Sequence, residues 1–159
     1  MKKMFVFLIC TGLLAGIHPA FSQSAERPRQ FNINKSGLAI QGYDPVAYYA
    51  SGKPAEGKKE ISYSFGGITY RFSSTQNKQA FIADPARYEP QYGGWCAYAM
   101  GASGEKVEVD PETFKIINGK LYLFYNRFFN NTLKSWNKNE PALKAKADSN
   151  WGLFFNDKH

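Results

Sequence analysis

The sequence predicts an α+β domain: a small antiparallel sheet from β-hairpins, with short helices and two C-terminal helices packed on it. Three observations carry this. Pairs of β-like runs flank glycine-containing turns at Gly66-Gly67 and Asn118-Gly119. Asp44-Pro45 and Asp84-Pro85 each place a side-chain acceptor before a proline pre-set for a first helical turn. Beyond Tyr125 the apolar residues recur at helical spacing.

Taken in order, Leu38-Ala39-Ile40 is a short apolar run closed by Gln41-Gly42-Tyr43, and Asp44-Pro45 opens a helix through Tyr49. Gly52 to Lys59 reads as a loop. Ile61–Phe65 and Ile68–Phe72 alternate apolar and polar residues around Gly66-Gly67, the first hairpin. Ser73-Ser74-Thr75-Gln76 has capping-box spacing, so a helix follows to about Ala83, with Ser73 as a cap and Ala80 and Phe81 inward. Asp84-Pro85 restarts a short helix through Tyr88. Pro90 to Ala97 is a glycine-hinged aromatic loop, and Glu105–Val109 reads as a further strand. Phe114–Ile117 and Leu121–Tyr125 flank Asn118-Gly119-Lys120, the second hairpin. Asn126 is expected to cap a helix with Phe129, Leu133 and Trp136 on one face. Asn139-Glu140-Pro141 opens the last helix, with the stripe Leu143, Ala147 and Trp151. No internal repeat is visible.

The N-terminus has the secretory pattern. Met1-Lys2-Lys3 precedes an apolar run from Met4 to Ile17, and Ala20 and Ser22 supply small residues for cleavage before Gln23. The run is shorter than the roughly 20 residues a membrane span needs, so no transmembrane anchor is expected after processing. The expected organisation is a signal peptide over 1–22, a disordered lead over 23–31, one domain over 32–155 and a frayed tail over 156–159. The expected location is the periplasm or beyond.

Loss of Lys2 and Lys3 with the leader lowers the formal net charge of +7 by two. On an exported chain that excess points to a solubilising surface or weak attraction to anions, not to nucleic acid. Of two cysteines and two histidines, Cys96 and His159 would remain. That count excludes an internal disulfide and a zinc site of four Cys/His ligands. It leaves Cys–His and Ser–His–Asp catalysis dependent on the terminal residue.

Tyr63 to Tyr88 resembles a YHS domain: a hairpin with an aromatic second strand, a helix, then Phe81 and Asp84-Pro85 before Tyr88. Asp44-Pro45-Val46 resembles the opening of such domains. Pro90-Gln91-Tyr92-Gly93-Gly94-Trp95-Cys96-Ala97 and Asp110–Tyr125 are similar to exported bacterial YHS-domain proteins. The resemblance covers roughly 32–151. Metal-type members carry cysteines where this chain has Ala47, Ser73 and Asn77, so the resemblance implies a kept fold and lost soft-metal ligands.

The candidate site is the Gly93–Cys96 loop with the Tyr43-Asp44 segment: Tyr43, Asp44, Tyr92, Trp95 and Cys96. Asp44 reads as a helix cap, or as a pocket carboxylate near Cys96. Cys96 reads as core filler or as a functional thiol, and core filler implies that Cys96→Ser costs more than Cys96→Ala. As a ligand it would pair with Met100 at i, i+4, a two-sulfur set suited to a copper ion rather than zinc. As a redox thiol it needs a nearby cation, with Arg87, Lys106 and Arg127 available. Glu89, Glu105, Glu108 and Asp110 read as solvated loop charges. No catalytic residue is assigned. The expected role is binding or accessory, toward an unidentified small ligand or metal ion. The alternative is a thiol-dependent enzyme or redox sensor using Cys96.

Overall fold

The computed structural model describes residues 26–156. The signal-peptide residues 1–22, residues 23–25 and residues 157–159 lie outside them. An N-terminal helical turn, α1, occupies 26–30. Then come α2 (Ala47–Ala50), β1 (Lys58–Phe65), β2 (Ile68–Phe72), α3 (Thr75–Ala83), α4 (Pro85–Tyr88), α5 (Ala97–Ala102), β3 (Asp110–Ile117), β4 (Lys120–Phe124), β5 (Asn126–Arg127), β6 (Asn130–Asn131), α6 (Thr132–Trp136) and α7 (Glu140–Asn156). The fold is α+β, with two C-terminal helices.

The strands form three separate two-stranded ladders, β1-β2, β3-β4 and β5-β6, rather than one sheet. The two long hairpins share a plan. In each, an eight-residue strand meets a five-residue strand, and the register shifts early, between Lys58 and Ser62 or between Asp110 and Phe114. In all three ladders a two-residue loop turns the chain with both residues at positive φ: Gly66 55° and Gly67 80°, Asn118 50° and Gly119 72°, Phe128 52° and Phe129 62°. That is the type I′ pattern, whose twist matches that of the strands.

Two apolar clusters hold these elements together. The first joins Ile68, Tyr70 and Phe72 of β2 to Phe81 of α3, Leu121 and Leu123 of β4, Tyr48 and Cys96. Alternation explains it: Ile68, Tyr70 and Phe72 are fully buried while Thr69 and Arg71 are half-exposed. The second joins Tyr92, Ala97, Met100, Tyr122, Phe124, Trp136 and Ala147, with Leu143 and Trp151 packed on it. The stripe read on α7 is therefore its buried face.

Several elements differ from expectation. The chain expected as a disordered lead is helical over 26–30 and tied down. Arg27 Nη2 donates to Glu89 Oε1 at 2.5 Å, Trp95 Nε1 donates to the Gln30 carbonyl at 2.6 Å, and Phe31 meets Trp151 edge-on at 6.0 Å. Residues 105–109 form no strand; there the Val107 carbonyl accepts a single hydrogen bond from the Cys96 N–H at 2.9 Å. Ser74, not Ser73, caps α3, accepting from Asn77 N at 3.1 Å. Asn126 caps no helix. It opens the β5-β6 hairpin, and Asn131 caps α6 instead, accepting from Leu133 N at 3.1 Å. Phe129 leaves the expected helical face and sits at the hairpin tip, while Leu133 and Trp136 keep theirs.

Candidate functional site

The residues singled out in the sequence fall into two places. Tyr43 and Asp44 lie at the entry to α2. Tyr92, Trp95, Cys96 and Met100 lie on the aromatic loop and α5.

Asp44 is fully buried, and its carboxylate is saturated. Oδ1 accepts from Val46 N at 2.8 Å and Ala47 N at 3.3 Å, so Asp44 holds the turn that leads into α2, whose N-cap is Val46 and not the expected Asp44. Oδ2 accepts from Ser73 N at 2.8 Å, Ser73 Oγ at 2.7 Å and Asn77 Nδ2 at 2.6 Å. Thus Ala47, Ser73 and Asn77, the three positions where the resemblance implies lost cysteines, gather around one carboxylate. A methyl, a hydroxyl and an amide beside a fully engaged carboxylate offer no soft donor, so this cluster does not fit a thiophilic metal. Its hydrogen bonds join α2 to the start of α3. Tyr43 is half-buried, and its hydroxyl donates to Glu112 Oε1 at 3.1 Å.

The aromatic loop is occupied with packing. Tyr92 takes a left-handed conformation at φ 54° and donates to Asp148 Oδ1 at 2.8 Å. Burial and that carboxylate raise its phenol far above the usual range. Gly93 has no room for a side chain: an added Cβ would come within 2.8 Å of the Trp151 ring and 3.0 Å of Phe31. Gly93, one of the glycines that suggested a ligand approach, is needed for Phe31 and for Trp151 of α7 to close over the loop.

Cys96 is the free thiol among the described residues and is fully buried. Its bonding follows from proton accounting. Thr132 has one hydroxyl proton, given to the Tyr125 carbonyl at 2.9 Å. The 3.4 Å contact between Sγ and Thr132 Oγ1 is then the S–H donating to oxygen. The Tyr125 N–H in turn donates to Sγ at 3.4 Å. The thiol sits in a closed ring of hydrogen bonds that joins the start of α5 to both ends of the β5-β6 hairpin. Met100 is also fully buried, but it packs in the second cluster while Cys96 packs in the first.

The cations considered for the thiol are engaged elsewhere or exposed. Lys106 Nζ donates to Gln30 Oε1 at 2.5 Å and lies 4.3 Å from the Phe154 ring centroid. Arg87 lies over Tyr88, and Arg127 is exposed on β5. Among the described residues no group of three or more His, Cys, Asp or Glu side chains could hold a metal ion.

Above Cys96 lies an open cleft of about 330 Å³. Tyr98, Ala99 and Ala102 of α5, Val107, Tyr125 and Asn130 line it together with Cys96. Ser103 and Glu105 add polar groups to the lining, and the Ser103 hydroxyl donates to Glu105 Oε2 at 3.1 Å. Asp44 takes no part in it. Sequence reading missed this cleft, because its walls come from separate segments and only Cys96 marks the place.

Glu89 is buried, contrary to the solvated charge expected. It accepts from Tyr70 Oη at 2.7 Å as well as from Arg27, and burial together with its charge raises the Tyr70 phenol. An aromatic residue at the centre of a buried strand needs a polar partner for its hydroxyl, and that was the available signal. Comparisons with protein-family models, with curated proteins and with solved structures gave no match.

Proposed function

We propose that this chain is an exported YHS-type binding or accessory protein that takes a small, mostly apolar ligand in the cleft over Cys96. The cleft itself carries the reading: about 330 Å³, lined mostly by apolar groups that include Tyr98, Ala99, Val107 and Tyr125, with a few polar groups from Ser103 and Glu105. That size and lining suit a small-molecule site. The YHS relation is supported by the meeting of Ala47, Ser73 and Asn77 at Asp44, and the same meeting argues against a soft-metal centre there. The copper pair of Cys96 and Met100 gains no support from two buried sulfurs in different clusters. The redox alternative would need the Cys96 ring of hydrogen bonds to open before the thiol reacts.

The test uses 1-anilinonaphthalene-8-sulfonate as probe. Ala102 is exposed at the end of α5 and lines the cleft, so Ala102→Trp should fill it and leave the fold intact. Probe binding should fall at least about tenfold, the worth of one buried aromatic contact. Equal binding by the variant, at an unchanged melting temperature, refutes the cleft as the site. For export, the intact mass of protein recovered outside the cytoplasm should correspond to a chain starting at or near Gln23.

A further inference from the structure

The third hairpin holds an arrangement that the proposed ligand site does not explain. Its loop is Phe128-Phe129, and the two residues are 89% and 111% exposed. Both residues adopt positive φ, 52° and 62°. A type I′ turn favours Asn-Gly, and a bulky side chain in the left-handed region is strained. The fold gains nothing from either ring, since neither enters a core cluster. Two adjacent aromatics are thus held out in solvent at a conformational cost, a combination that points to contact with something else.

The charges near the tip in the chain say what that is. From Asn126 to Asn139 the chain carries Arg127, Lys134 and Lys138 and no acidic residue. All three cations are exposed, and among the described residues none is in a salt bridge. Paired apolar side chains next to Arg127, with the exposed Lys134 and Lys138 following in the chain, match the interface of an anionic lipid bilayer: rings enter the headgroup–acyl boundary while the cations stay with the headgroups. Among the described residues no helix is long and apolar enough to cross a membrane.

We infer that the Phe128-Phe129 tip is a membrane-docking element that inserts into anionic lipid surfaces. The inference rests on the tip and its charges, independently of any ligand in the cleft.

The test is made on the full chain with phosphatidylglycerol-containing vesicles, and with pure phosphatidylcholine vesicles as the comparison. Phe129→Trp should show a blue-shifted emission with the first vesicles and quenching by lipids brominated on the acyl chain. Phe128→Asn/Phe129→Gly installs the preferred turn chemistry, so it should fold, and its vesicle binding should fall at least about tenfold. Arg127→Glu should weaken binding about fivefold or more on phosphatidylglycerol vesicles and hardly at all on phosphatidylcholine. No blue shift in the Phe129→Trp variant, or full vesicle binding by the Phe128→Asn/Phe129→Gly variant, would overturn the inference. So would loss of self-association in that double variant with vesicle binding intact, which would make a second copy of the chain the occupant.

Discussion

Two turns follow one another closely along the chain, Asn118-Gly119 between β3 and β4 and Phe128-Phe129 between β5 and β6, and both hold positive φ at each loop residue. The first uses the residues the geometry prefers. Its strands are long, and Leu121, Leu123 and Phe124 bury their side chains. The second uses two residues the geometry disfavours, its ladder has only the pairs Asn126↔Asn131 and Arg127↔Asn130, and its loop side chains bury nothing. Turn geometry can therefore be imposed from outside the turn. At the β5-β6 hairpin the imposing contacts sit at the base: the Cys96 ring at Tyr125 and Thr132, the Thr132 N–H donating to the Tyr125 carbonyl at 3.0 Å, and the Asn131 cap of α6.

The comparison breaks most visibly if the turns are exchanged. Asn118→Phe/Gly119→Phe should destabilise the protein by about 2–3 kcal/mol, since each bulky residue in the left-handed region costs on the order of 1–2 kcal/mol. Thermal or urea unfolding measures it, and a loss below about 0.5 kcal/mol would mean that turn chemistry does not distinguish the hairpins.

The base contacts can be tested next. Cys96→Ala leaves the Tyr125 N–H without its acceptor and should cost about 2 kcal/mol. Cys96→Ser keeps a donor and an acceptor and should cost about 1 kcal/mol. This reverses the order expected for a thiol in purely apolar surroundings, because Sγ here is bonded on both sides. Hydrogen exchange should locate the loosening at 125–132, with 114–124 unaffected; equal loosening of both hairpins would show that the base contacts are not local.

A smaller effect reaches the β3-β4 hairpin from α7. Lys115 of β3 donates to Glu140 Oε2 at 2.5 Å, and Trp136 Nε1 to the same oxygen at 2.9 Å. The Lys115 hydrogen bond, aided by Trp136 and opposed by burial, holds Glu140 below its ordinary 4.5. A depressed carboxylate stabilises the fold above its unfolded value and loses that stabilisation as pH falls through the folded one. Unfolding followed from neutral pH to below 4.5 should therefore show a loss, and Glu140→Gln should reduce it. With both side chains partly exposed, the difference should be at most about 1 kcal/mol. An identical acid profile in Glu140→Gln would remove this clamp from the account.

The same contrast explains what could be read in the sequence. Gly66-Gly67 and Asn118-Gly119 were legible as hairpins because turn chemistry and turn geometry agree there. Asp84-Pro85 was legible as a helix start, and Leu143, Ala147 and Trp151 as a buried face. Phe128-Phe129 was not, because Phe129, Leu133 and Trp136 happen to share helical spacing, and a hairpin set by its base leaves no mark in its loop. Ser73 and Ser74 are equivalent as sequence; only the buried Asp44 carboxylate, reached across 29 residues, draws Ser73 away from the cap. Glu89 looked solvated because its partners Tyr70 and Arg27 are distant in the chain. Of the candidate site, Cys96 marked the place, but its hydrogen-bond ring and the cleft above it arise from tertiary contacts.

If the Phe128-Phe129 tip docks on membranes, the fold tolerates strain there for the sake of exposure. One pair of measurements on Phe128→Asn/Phe129→Gly tests it: the melting temperature and binding to phosphatidylglycerol vesicles, on the same preparation. Because the short ladder can open without unfolding the rest, relief of strain should raise global stability by less than about 1 kcal/mol. Vesicle binding should fall at least about tenfold. A lowered melting temperature with vesicle binding unchanged would contradict the account, and would make the two phenylalanines part of the fold rather than its contact with a membrane.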